Sequence, residues 1–190
     1  MTRDERRRII SELNGRTQME AFEAAKLFLH DSDVRLERSL IATLRCGRRP
    51  LNRTAAAYAM QWVSTTRPIE ALERSVANNS ENPRVRGQAA EALIHNHRRW
   101  SHGVLLRAVR DPSREVRFWC AFALGQMAEL KAIPALKHLV ETDKRVVRGY
   151  WSVAKEAADA LKHIQSESKC VRRKNGCTFC IRRSKQNRRG

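Results

Sequence analysis

Three stretches of the chain share one spacing of apolar and small residues: Val85-Arg86-Gly87-Gln88-Ala89-Ala90-Glu91-Ala92-Leu93, Val116-Arg117-Phe118-Trp119-Cys120-Ala121-Phe122-Ala123-Leu124 and Val153-Ala154-Lys155-Glu156-Ala157-Ala158-Asp159-Ala160-Leu161. In each, the apolar positions fall at offsets 0, +4, +7 and +8. With 3.6 residues per turn those offsets form one stripe of an α-helix. Small residues at +4 and +7, such as Ala89 and Ala92, allow a second helix to come close. A weaker copy, Asn52-Arg53-Thr54-Ala55-Ala56-Ala57-Tyr58-Ala59-Met60, precedes them, and the four starts are 33, 31 and 37 residues apart.

Shorter apolar segments lie between these helices: Pro68–Leu72, Val104–Val109 and Ile133–Val140. Each is followed by residues that favour turns, at 78–83, 111–113 and 142–143. Proline suits the first turn of a helix because its missing N–H has no partner there, and Asp or Asn caps the exposed donors. The pattern predicts four helix pairs, at about 34–63, 67–96, 101–128 and 131–165, preceded by a helix at about 17–30. Each pair has an apolar face it cannot bury alone, so successive pairs stack. The expected fold is all-α, an α-solenoid of about four hairpins spanning 1–166.

The run Asp111-Pro112-Ser113-Arg114-Glu115-Val116-Arg117 through Ala123-Leu124-Gly125, with Pro134 in the following first helix, resembles the HEAT repeat in the short form familiar from the phycobilisome-lyase-like group. The resemblance covers about residues 34–165. The last copy departs from it, with Ala154 in place of Arg and the segment Arg148-Gly149-Tyr150-Trp151-Ser152 inserted ahead of the helix. The resemblance implies that second helices line a concave face and that Asp111 and Arg117, six residues apart, belong to an Asp–Arg ladder tying neighbouring repeats.

Charge changes the picture. The 190 residues hold 38 Lys and Arg against 20 Asp and Glu, a formal charge of +18, and 42% of them are apolar. Residues 167–190 carry nine basic side chains against Glu167 alone and read as a flexible basic tail. Such a surplus favours polyanions: nucleic acid or an acidic protein. No apolar run reaches the roughly 18–20 residues of a bilayer span. The N-terminal segment lacks a secretory pattern, and the five Cys are unevenly spaced. A cytoplasmic protein is the expectation.

Arg53, Arg86 and Arg117 open successive second helices and are candidates either for the ladder or for a basic stripe touching a partner, with Arg148 beside the insert as a fourth. Phe118, Trp119, Phe122, Tyr150 and Trp151 are candidates for an apolar contact patch. In the tail, Cys177 and Cys180 form a C-x-x-C pair; with Cys170 and His163 they make a weak zinc set, and no cofactor is expected. Iron-dependent hydroxylases of HEAT-like architecture carry repeated His-Glu pairs, whereas no His of this chain is followed by Glu. No nucleotide loop or nucleophile motif is present either.

The reading these features give is a non-catalytic scaffold, not an enzyme, that binds an acidic protein through its concave face and Arg-rich turns. Sequence-independent nucleic-acid binding is the first alternative. A lyase- or glycosylase-like enzyme on the same scaffold is the second.

Overall fold

The structure, a computed structural model, describes residues 34–63, 65–95 and 101–172, together with Asp4, Arg7 and Ser11. The helix expected at 17–30 and residues 173–190 lie outside the described residues. Eight α-helices follow one another from residue 34: α1 (Val34–Cys46), α2 (Pro50–Ala59), α3 (Thr66–Ala77), α4 (Pro83–Ala92), α5 (Ser101–Ala108), α6 (Arg114–Gln126), α7 (Ile133–Thr142) and α8 (Val153–Arg172). Short 3-10 turns extend α2 and α4 at Met60–Trp62 and Leu93–His95, and another, Leu130–Ala132, leads into α7. Helix α8 runs past the point where the charge pattern begins the tail.

Local chemistry sets these boundaries. Pro50, Pro83 and Pro134 sit in the first turns of α2, α4 and α7. Asn82 caps α4 by accepting the Arg84 N–H at 3.0 Å. The Asp111 carboxylate accepts the Ser113 N–H at 2.8 Å and turns the chain into α6. At the other end of α6, Ala128 takes a left-handed φ of 52°.

The helices form two layers. First helices α1, α3, α5 and α7 each contribute one leucine or more that is removed from solvent, with Leu40, Leu72, Leu105 and Leu136 each 0% exposed. Burying each such side chain stabilises by about 1.5–3 kcal/mol before entropy is counted. Second helices α2, α4, α6 and α8 present the small residues of the repeat, including Ala55, Ala56, Ala89, Ala90, Ala123 and Ala157, all buried. These small faces bring the second helices closer together than the first helices come, so the stack curves with the second helices inside. Helices α6 and α8 meet backbone to backbone at Gly125: a Cβ there would lie 2.7 Å from Ala160 Cα of α8.

The inserted segment before α8 is a small hairpin. Val146 and Ser152 form an isolated antiparallel bridge, and Gly149 makes the turn with φ of +84°. Among the described residues no helix is long and apolar enough to cross a membrane.

Candidate partner-binding surface

The arginines that open the second helices do not form an accessible stripe. Arg86 and Arg117 are 3% and 5% exposed, which leaves a partner nothing to grip. Arg86 donates from Nε to the Val76 carbonyl at 3.0 Å and from Nη2 to the Asp111 carboxylate. Arg117 donates from Nε to Asp143 Oδ2 at 2.7 Å and from Nη1 to the Asp111 carbonyl. Arg53, partly buried, holds both Glu81 oxygens at 2.8 Å and the Gly47 carbonyl at 2.6 Å. In all three rungs the carboxylate belongs to the turn of the following repeat. The Asp111 side chain therefore pairs with Arg86, while Arg117 meets only the Asp111 backbone.

Glu81 and Asp143 are the rung partners that sequence reasoning missed. Their signal was available: each is an acid in the turn that follows a first helix, as Asp111 is. A second set of ties on the opposite edge was missed as well. There Ser101 donates to Glu73 at 2.8 Å, and His102 Nδ1 meets Glu129.

The aromatic candidates separate. Phe118 is buried in the core at 2% exposure and is withdrawn as a contact residue. Trp119 is half-buried, its ring lying over α4, where a Cβ on Gly87 would be 2.4 Å from Trp119 Cδ1. Its centroid is 5.9 Å from Phe122 and 5.1 Å from Tyr150, both edge-to-face. Tyr150 and Trp151 stay exposed on the hairpin. Trp151 is held in place by its Nε1–H bond to Glu156 at 2.8 Å and by the Lys155 ammonium 4.0 Å from its ring centre.

This inner face carries Glu91 and Glu115 beside Arg84 and Arg148. Burial pushes the Glu91 carboxyl up, against the hydrogen bond from Gln88. Burial also raises Glu115, against the positive charge of Arg84 and Arg114. Tyr150 is raised in turn by burial and by the charges of Glu91 and Glu115. Arg148 is exposed and lines the same groove, of about 370 Å³, as Arg84, Glu115, Trp119 and Tyr150.

The positive surface lies along the edge formed by the turns between first and second helices. The acids of those turns, Glu81, Asp111 and Asp143, are occupied by the ladder. What the edge shows to solvent is Arg48, Arg110, Arg114, Lys144, Arg145 and Arg148, all exposed. Only Arg145 shares a ladder acid, donating to Asp143 Oδ1 at 2.8 Å.

No group of three or more His, Cys, Asp or Glu that could hold a metal occurs among the described residues. His163 Nδ1 lies 2.9 Å from the Gly125 carbonyl, while Cys177 and Cys180 and the side chain of Cys170 lie outside the described residues. Cys46 is exposed; Cys120 is buried, and burial pushes its thiol far up, with the nearby Asp111 charge adding to the rise.

Residues 74–162 match the family model of HEAT repeats. No curated protein sequence matches the chain. Among solved structures, human deoxyhypusine hydroxylase in complex with glycerol is similar with a TM-score of 0.53 and 26% identity, over 64% of this chain. The match spans 43% of the hydroxylase chain. That similarity corrects the expectation of a non-catalytic scaffold that is not an enzyme. A stack of hairpins of this build forms part of a hydroxylase, so the repeat gives no ground for excluding catalysis. What the pairing of helices, the curved double layer and the matched family model share is one architecture: residues 74–162 of this chain are similar to HEAT repeats.

Proposed function

We propose that the chain binds an acidic protein along the edge formed by its inter-helix turns. The observation that carries this reading is the occupation of Glu81, Asp111 and Asp143 by buried or half-buried arginines. The ladder occupies Glu81, Asp111 and Asp143, while Arg48, Arg110, Arg114, Lys144 and Arg148 face solvent. Opposite charges across an interface speed association and fix orientation. Arginine also forks onto carboxylates with two parallel hydrogen bonds. A protein partner is favoured over nucleic acid because Glu91 and Glu115 interrupt the positive charge of Arg84 and Arg148 on the adjoining inner face, which leaves a phosphate backbone no continuous track.

The test is binding of a fluorescein-labelled polyglutamate peptide to the full chain, followed by anisotropy. The triple variant Arg110→Glu, Arg114→Glu, Arg148→Glu is expected to weaken binding by about tenfold or more at low salt, and the wild-type affinity to fall as salt shortens the screening length. Affinity unchanged by the triple variant, despite intact helical circular dichroism, overturns the reading. A random DNA duplex bound more tightly than the peptide would transfer the edge to nucleic acid.

A further inference from the structure

Along the same edge the first helices do not pack evenly. Helix α3 lies against α1 and α5, but α5 and α7 barely touch. Between the end of α5 and α7 a cleft of about 500 Å³ opens. Its lining divides by chemistry. Val109, Pro134, Ala135 and Leu139 form an apolar wall and floor, with Val109 and Leu139 buried. Arg110, His138 and Arg145 stand exposed around it. The two acids in the lining, Asp111 and Asp143, are already paired with Arg86 and with Arg117 and Arg145. Arg117 adds a buried guanidinium to the lining, and its Nη2 has no aligned hydrogen-bond acceptor although it lies 2.7 Å from Asp143 Oδ2.

We infer that this cleft anchors the acidic partner by taking an aliphatic side chain flanked by carboxylates, the side chain against Val109, Pro134, Ala135 and Leu139 and the carboxylates on Arg110 and Arg145. The inference rests on the basic-edge reading and adds to it a place and a sequence preference. A phosphodiester chain supplies charge but has no aliphatic group for the apolar wall, whereas an acidic peptide with one leucine supplies both. Apolar burial at the centre with charged pairs at the rim is the usual division in an interface. The rim arginines select for negative charge and the wall selects for the residue between the charges.

Two short fluorescein-labelled peptides of Glu and Asp test it on the full chain, one with a single central Leu and one with Gly in that place. The Leu peptide is expected to bind about tenfold tighter, as burial of one aliphatic side chain implies. Ala135→Trp fills the cleft without changing charge and is expected to abolish that preference. Thr142→Trp, at an exposed position on the same wall, repeats the block and guards against an effect of misfolding at residue 135. Equal binding of the two peptides, or a Leu preference that survives both variants, overturns the cleft and leaves the basic edge standing. Failure of both peptides to bind the wild-type chain overturns the basic edge and the cleft with it. A DNA duplex whose affinity drops with Ala135→Trp would overturn the peptide assignment.

Discussion

Arg117 in α6 donates its Nε proton to Asp143, 26 residues further along the chain, at 2.7 Å, and both residues are almost fully buried. The pair joins the third hairpin to the fourth. An ion pair taken out of water gives up much of its hydration, so such a pair is fragile in a particular way. Removing one partner strands the other charge where water cannot reach it.

Asp143→Asn is therefore expected to destabilise the chain by about 3–5 kcal/mol, a large share of the roughly 5–15 kcal/mol of an ordinary domain. Glu81→Gln is expected to cost only about 1 kcal/mol, because the Arg53–Glu81 side chains keep 18% and 10% exposure and water can repair the loss. The double variant Arg117→Met, Asp143→Leu should recover most of what Asp143→Asn loses. Urea unfolding followed by circular dichroism orders the three. Equal losses for Asp143→Asn and Glu81→Gln would mean that burial does not set the strength of a rung.

Acid acts on the molecule in two opposite ways. Burial pushes Asp143 up, but hydrogen bonds and charge from Arg145 and Arg117 outweigh it and hold the carboxyl below its ordinary range. For Glu129, burial is likewise outweighed by the Lys131 N–H and by His102. Groups lowered in this way lend stability above their unfolded pKa that is lost as pH falls through the folded one. Glu91, Glu115 and Glu156 are raised, chiefly by burial, so the native state takes up protons first as pH falls from neutral toward the carboxylate range. Stability should accordingly rise slightly on mild acidification and then collapse at lower pH, as Asp143 and Glu129, held below their ordinary range, take up protons. Glu91→Gln should flatten the first rise without moving the collapse. A melting temperature that falls steadily from neutral pH would contradict the assignment.

Two glycines make close approaches of different kinds. At Gly87 an added methyl meets the ring of half-buried Trp119, a side chain and not backbone. At Gly125 it meets the backbone of Ala160, which cannot move without separating α6 from α8. Gly87→Ala is expected to cost about 1 kcal/mol and to shift tryptophan fluorescence, and Gly125→Ala about 3 kcal/mol, the upper range for overpacking. The reverse order would show that the Trp119 ring, not the α6–α8 contact, is the tighter constraint.

The four hairpins were legible in the sequence because small residues at helical spacing have one physical use in a stack, to let helices approach. The fate of the arginines was legible only in part. Arg86 and Arg117 each open a helix, the position where a long charged side chain ordinarily reaches water, and the ladder between neighbouring repeats that the resemblance implied did not say which carboxylate faces which arginine. The carboxylates that draw these arginines inward lie in the next turn, 25 and 26 residues away, and become neighbours only when hairpins stack. The candidate surface moved for the same reason. With the ladder arginines withdrawn, the inner face is left to Glu91, Glu115, Arg84, Arg148 and the aromatic residues, and the other exposed arginines lie in the turns. The cleft between α5 and α7 had no sequence signal, since it arises from how far apart two helices settle.

The offset of the rungs also limits how such a chain could be rebuilt. A hairpin cut out and grafted elsewhere would bring an arginine whose counterion stayed behind and a carboxylate whose arginine stayed behind. Lengthening or shortening this protein by whole hairpins is tolerable only if donor and acceptor are carried over in phase, so the ladder acts as a joinery rule for its evolution and for its engineering.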